Sequence, residues 1–199
     1  MSAIRLLILG AVRLHGRAHG YQVRNDLAFW GADSWSTTKP GSIYHALKSM
    51  AKQGLLHAYD TAPSTAGGPP RTEYEVTEKG AAEFFSLLRQ ALTTHDRMDL
   101  LSAGIGFMVE LPREEVIALL QERLANLEGW REAVTSSYTA EDDLGHIGEI
   151  MSLWAHSAEG GLEWTRGLIE RIQGGAHDFA GEGGDPFAGV LAEDQPSSG

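Results

Sequence analysis

Along residues 4–14 apolar side chains follow one another almost without a break: Ile4, Leu6, Leu7, Ile8, Leu9, Ala11, Val12 and Leu14. A run of this length fits a buried strand or a buried helix, and periodicity alone does not separate the two. Its place ahead of further helical patterns favours a helix buried on more than one side. A polar connection over 15–19 follows, after which Val23, Leu27 and Trp30 recur at helical spacing, with Arg24 and Asp26 facing outward. Ile43, Ala46, Leu47 and Met50 form the next stripe. Thr37 or Thr38 can cap that helix, Pro40 suits its first turn, and Gly54 stops it. Residues 55–59 and 72–76 are short runs with aromatic and β-branched content, separated by TAPSTAGGPP. That composition predicts a two-stranded hairpin with a long loose tip.

A fourth helix is predicted over 78–94, with Thr77 as cap and Ala81, Phe84, Phe85, Leu88 and Leu92 inward. Residues 98–111 are apolar but interrupted by Gly104 and Gly106. Pro112 then opens a long amphipathic helix whose stripe is Val116, Leu120, Leu124, Leu127, Trp130 and Val134. The stretch 144–172 repeats the pattern with Leu144, Ile147, Met151, Trp154, Ala158, Leu162, Leu168 and Ile172, mostly at the three- and four-residue alternation of coiled-coil-like packing. Gly160 and Gly161 inside it either permit a close helix crossing or divide the helix. These stripes exceed what a small N-terminal domain can cover, so a second copy of the chain is the expected partner. From residue 175 onward there are six glycines, two prolines, five acids and no Lys or Arg, which predicts a disordered acidic, Gly-rich tail. The organisation expected is residues 1–95, residues 96–174 and the tail 175–199, in a fold that is mainly α with a small two-stranded β wing.

Charge sharpens this division. The net charge of −11 is unevenly spread: residues 1–95 carry ten Lys/Arg against seven Asp/Glu, and the remainder six against twenty. A basic half can face a polyanion while an acidic half faces solvent and a partner. With no cysteine, a disulfide framework, a thiolate nucleophile and Cys-ligated zinc are all excluded. The apolar run near the N-terminus is too short to span a bilayer, so the expectation is a soluble, cytoplasmic protein. The G-x-S-x-G, P-loop, Rossmann and H-E-x-x-H signatures are absent, and no enzyme is expected. His146, Glu149, His156 and Glu159 share a helix at spacings of 3, 7 and 3, and His15 and His19 are four apart. Each set reads better as a wet polar face than as a metal site, and no cofactor or metal is expected.

The side of the third helix opposite its stripe carries His45, Lys48, Ser49 and Lys52, flanked by Ser42 and Tyr44. It offers donors and positive charge, and with the hairpin it makes the order of parts of a winged helix-turn-helix. The segments HGYQVRNDL (19–27), PGSIYHALKSMAKQGLL (40–56) and GGPPRTEYEVTEKG (67–80) together resemble the PadR family of bacterial transcriptional regulators. The resemblance covers most of residues 4–92. Glu73 and Glu75 stand where that family often has an aromatic and a basic residue, and Thr72 where a Lys is common.

The resemblance implies a homodimeric regulator of double-stranded DNA, a repressor released by a small ligand, with aromatic compounds the expected class. Thr38, Lys39, Ser42, Tyr44, His45, Lys48, Lys52 and Arg71 are the expected DNA contacts. Lys48 and Lys52 would meet phosphates, Ser42 and His45 base edges, and Arg71 the backbone or minor groove beside the wing. Tyr44 takes the family's tyrosine position, which implies a phosphate contact, against partial core packing as the plainer reading. Trp130, Trp154 and Phe107 are the expected walls of an aromatic ligand site. The rival function is a winged-helix module that binds protein and not DNA, for which Glu73 and Glu75 speak.

Overall fold

A computed structural model describes residues 3–36, 40–60, 72–136, 145–184 and 187. The chain separates into two compact units, the first extending to Leu88 and the second beginning at Arg89.

The first unit opens with α1 (Ala3–His15), in which Leu6 through Val12 are all buried. A helix apolar on every side needs neighbours on every side, and α1 packs on α2 (Gly20–Phe29), α4 (Pro40–Lys52), β1 (Arg17–His19) and β3 (Thr72–Val76). A short α3 (Ala32–Trp35) links α2 to α4. β2 (Leu56–Asp60) and β3 form the expected hairpin, and β1 joins it on the far side, giving an antiparallel sheet in the order β1-β3-β2. The polar connection read over 15–19 is therefore partly a strand, with Ala18 opposite Tyr74 and both buried. Asp26 differs from expectation too. It is 1% exposed, facing inward, where its carboxylate lies 2.7 Å from His15 Nε2. A buried carboxylate needs such a partner, and His15 supplies it.

The third-helix stripe is as expected, with Ile43, Leu47 and Met50 buried. Gly54 ends α4 at φ +73°, where an L side chain would be strained. Its N–H donates to Ala51 O at 3.0 Å and the Leu55 N–H to Met50 O at 3.0 Å, the paired bonds of a Schellman ending. Thr77 bolts this end to α5 (Glu78–Thr93). Its hydroxyl sits 2.7 Å from Gly54 O as donor and accepts the Gly80 N–H at 3.0 Å. Lys79 Nζ reaches Gln53 O at 2.8 Å. Gly80 has no room for a side chain, since a Cβ there would stand 2.0 Å from Leu55 O.

In the second unit, α6 (Met98–Phe107) and a 3₁₀ turn (Met108–Glu110) lead to α7 (Arg113–Ser136) and α8 (His146–Gln173), which pack along one another. α8 runs unbroken through Gly160 and Gly161. At Gly161 a Cβ would lie 3.2 Å from Leu127 Cδ2, so the missing side chain is what lets the two helices cross closely. The α8 stripe is buried only in its second half, at Ala158, Leu162, Leu168, Ile169 and Ile172. In the first half Ile147, Ile150, Leu153 and Trp154 are exposed. Leu144 lies outside the described residues. Among the described residues, no helix is long and apolar enough to cross a membrane.

The segment after α8 also departs from its composition. Residues 176–184, read as part of a coreless tail, return Phe179 to a buried position, and Ala180 N–H donates to Val109 O at 2.9 Å. Arg113 gathers the turn: it donates to Ile172 O, to Ala176 O at 3.2 Å, to His177 O at 2.8 Å and twice to Glu182 at 2.7 Å, and it covers the Phe179 ring. One guanidinium thus ties the last turn of α8 to the segment that follows it. The Arg113 hydrogen bonds, helped by the Phe179 N–H, pull the Glu182 carboxyl down to about 2. A depressed carboxyl stabilises above its unfolded value and loses that contribution as pH falls through the folded one. Protection of the amides of residues 176–184 against hydrogen exchange, taken relative to the unstructured chain at the same pH, is therefore expected to be high at pH 5 and to fall toward pH 2. Arg113→Ala should remove the protection at both; protection kept in the variant would contradict the clamp.

Candidate functional site

α4 presents Ser42, Tyr44, His45, Lys48 and Lys52 together on its exposed side. The periodicity that buries Ile43, Leu47 and Met50 forces them there, because residues about 100° apart per step cannot share the buried stripe. Among the described residues, neither Lys48 nor Lys52 is paired with a carboxylate, so both charges face solvent. Tyr44 is 42% exposed, and the edge of its ring rests over Gly20, where a Cβ would come within 2.8 Å of Cε1. The ring is thus braced on α2, as the packing reading has it, and the rest of the side chain is open to solvent. Thr38, Lys39 and Arg71 lie outside the described residues, as do the caps proposed for α4.

The acids of the wing are engaged within the sheet. Across the strands Arg17 stands opposite Glu75 and His19 opposite Glu73. Glu75 accepts the Tyr59 hydroxyl at 2.7 Å and Arg17 Nε at 3.2 Å, while the Arg17 guanidinium lies 4.1 Å from the centre of the Tyr59 ring. The Tyr59 bond, with Arg17 beside it, holds the Glu75 carboxyl below the usual carboxylate range. His19 Nε2 sits 3.3 Å from Glu73. β1 is thus what answers the two acids, and a hairpin read without it looks more negative than it is.

The second unit holds a cavity of about 850 Å³ between α6, α7, α8 and the turn before α6. Trp130 and Trp154 are on its wall with ring centres 6.4 Å apart, and His95 faces Trp130 at 6.2 Å. Trp164 adds a third indole. Phe107 is not a wall residue: it is 2% exposed and sits in the core, because α6 turns Leu101, Ser102 and Ile105 to the cavity instead. Sequence reasoning missed Arg123, which is 3% exposed and reaches this cavity from within the α7 stripe. Three residues after Leu120 and four before Leu127, it occupies an inward position, and that spacing was the available signal.

The family model of PadR-like transcriptional regulators matches residues 8–86. Over this stretch the chain is PadR-like. The match takes in α4 and the sheet, while the cavity lies beyond it, and it makes the chain a DNA-binding transcriptional regulator. Solved structures are similar over most of the chain. PadR of Bacillus subtilis in complex with operator DNA is 19% identical with a TM-score of 0.38, over 84% of this chain and 98% of that one. A PadR-like regulator of Bacillus cereus is 16% identical with a TM-score of 0.35, over 86% and 99%. The Bacillus subtilis PadR in complex with p-coumaric acid is 17% identical with a TM-score of 0.33, over 86% and 99%. No curated protein matches the chain.

Proposed function

We propose that this PadR-like protein is a homodimeric repressor in the cytoplasm that reads operator DNA with α4 and releases it when a small aromatic ligand enters the cavity of the second unit. The observation that carries the DNA reading is the exposed side of α4, where Lys48 and Lys52 stand, among the described residues, without carboxylate partners beside Ser42 and His45. Lysines position the helix on phosphate, and short or planar donors near its N-terminus meet base edges. Lys39, Thr38 and Arg71 complete the contact set by their places in the sequence. The dimer reading is supported by the first half of α8, whose exposed Ile147, Ile150, Leu153 and Trp154 make an apolar face that a monomer would leave in water. A ligand acts as inducer only by preferring the arrangement that does not fit the operator.

Two recognition helices related by a two-fold axis should address major grooves one turn, roughly 34 Å, apart, so the operator should be an imperfect palindrome. Gel shifts against the gene's own upstream region should locate such a site, with affinity falling steeply as salt rises. Sedimentation of the free protein should return a dimer. No shift, or a flat salt response, would favour the protein-binding module instead, while a monomer that binds one half-site as tightly as the whole would remove the dimer and leave the DNA reading.

A further inference from the structure

A chain of polar contacts starts on α5 and α1 and ends on the exposed side of α4, with Gln53 in the middle. The Gln53 N–H donates to Ser49 O at 3.0 Å, so the main chain completes one more turn beyond Lys52 and the Gln53 side chain returns over Ser49. There its amide nitrogen Nε2 donates to Ser49 Oγ at 3.0 Å. Its amide oxygen accepts Arg5 Nη2 at 2.7 Å, and Arg5 Nε lies 3.1 Å from Glu83 Oε1. Lys79 Nζ, 2.8 Å from Gln53 O, holds the same residue by its backbone.

The direction of each bond in this chain is forced. A guanidinium only donates, so Gln53 must turn its carbonyl oxygen to Arg5. That turns the NH2 group to Ser49, and because an amide nitrogen accepts nothing, the Ser49 hydroxyl must be the acceptor. Its own hydrogen is left over, and among the described residues no group accepts it. A serine hydroxyl ordinarily rotates to donate or accept as its partner requires. This one is committed to donate. Ser49 is half-buried, four residues after His45 and three before Lys52, on the side of α4 that carries Lys48. The Arg5 and Glu83 side chains are 32% and 37% exposed, where an ion pair contributes little to stability. What the pair fixes is the polarity of the hydroxyl at the far end.

We infer that Ser49 is a further DNA-contacting residue that acts only as a donor, with Gln53 and Arg5 as the positioning residues that hold it so. Its acceptor is an oxygen of the duplex, either the keto oxygen of guanine or thymine in the major groove or a phosphate oxygen. A keto oxygen accepts where the amino groups of cytosine and adenine donate, so a fixed donor separates the two pairs of bases. The inference rests on the reading of α4 as the recognition helix and adds to it one contact and the polarity of that contact.

The test selects duplexes from a random-sequence DNA pool with the full-length protein and its variants, and follows with fluorescence anisotropy on the duplex that the unaltered protein prefers. Ser49→Ala should weaken that complex about fivefold for each half-site, the scale of one hydrogen bond. With a base as acceptor, the variant also loses a preference for guanine or thymine at one position of the half-site; with a phosphate as acceptor, it weakens all duplexes alike. Ser49→Thr keeps the hydroxyl and should behave as the unaltered protein. Gln53→Glu keeps the pairing with Arg5 but offers Ser49 an acceptor in place of a donor, so the hydroxyl turns inward to donate. The preferred base at that position should then change to cytosine or adenine, or, with a phosphate as acceptor, affinity should fall. Gln53→Glu in the Ser49→Ala background removes the effect of the added charge, and the loss due to the hydroxyl is the part that disappears there. A purely structural role for Gln53 would move neither base preference nor this coupling. A Ser49→Ala protein that binds and selects as before overturns the inference: the reading of α4 stands if the double change Lys48→Ala, Lys52→Ala weakens binding in the same assay, and falls with it if that change has no effect. Gln53→Glu with unchanged base preference and no coupling to Ser49→Ala overturns the assigned polarity. Selection of no duplex by the unaltered protein removes both readings.

Discussion

Gly80→Ala should lower the stability of the first unit by about 3 kcal/mol, although the residue is inside a helix. Helix propensity alone predicts the opposite sign, since Ala is favoured over Gly by roughly 0.8–1 kcal/mol in a helix interior. Space decides the matter. A methyl group at this position would stand 2.0 Å from the Leu55 carbonyl oxygen, and the obstacle is backbone, which no rotamer change relieves. Moving α5 away to make room would stretch the Thr77 hydroxyl from Gly54 O and the Thr77 N–H from Leu55 O, now 2.7 and 3.1 Å. Thr77→Ala, which removes the cap and keeps the space, should cost only about 1 kcal/mol. Urea denaturation of the three proteins checks the order. A Gly80→Ala protein as stable as the parent would mean that α5 does not press on the end of α4.

The double variant Lys48→Ala, Lys52→Ala should bind operator roughly a hundredfold more weakly at moderate salt and keep the parent's order of preference among operator variants. In the proposed dimer four lysines are lost, and with each phosphate contact worth about 0.9 in the dependence of log affinity on log salt, the slope should flatten by between about three and four. Ser42→Ala and His45→Ala should behave the other way, leaving the slope alone and changing the order of preference. Fluorescence anisotropy across a salt series separates the two outcomes. An unchanged slope in the lysine variant would move the DNA interface off α4.

Much of the first unit was legible because its signals are local. Ile43, Leu47 and Met50 announce α4 by spacing, Gly54 stops it, and Thr77 marks the start of α5. β1 was not legible. Three residues cannot show a period, and what makes Arg17–His19 a strand is pairing with residues 73–75, far along the chain. Asp26 was placed outward since apolar spacing carries no information about a charge whose partner, His15, lies on another helix. The same blindness hid Arg123, which sits in a stripe whose other members are apolar. Phe179 was lost to composition, because a Gly-rich acidic segment reads as coreless until Arg113 is seen to hold it. The cavity was half legible: two of its indoles follow from the stripes, and its charge does not.

The junction at Thr77 and Gly80 has a mechanical meaning. With the end of α4, the sheet and the start of α5 joined by one hydroxyl and by the absence of one methyl group, the reading helix and the wing have no hinge between them and act as the fixed jaw of a caliper. In the proposed dimer, a two-fold pair of such jaws would measure separation. One base pair inserted between half-sites displaces the second by about 3.4 Å and turns it by about 35° around the duplex axis. A jaw that cannot flex loses the whole second half-site to that change, so a length error at the operator's centre should be punished harder than any single wrong base within a half-site.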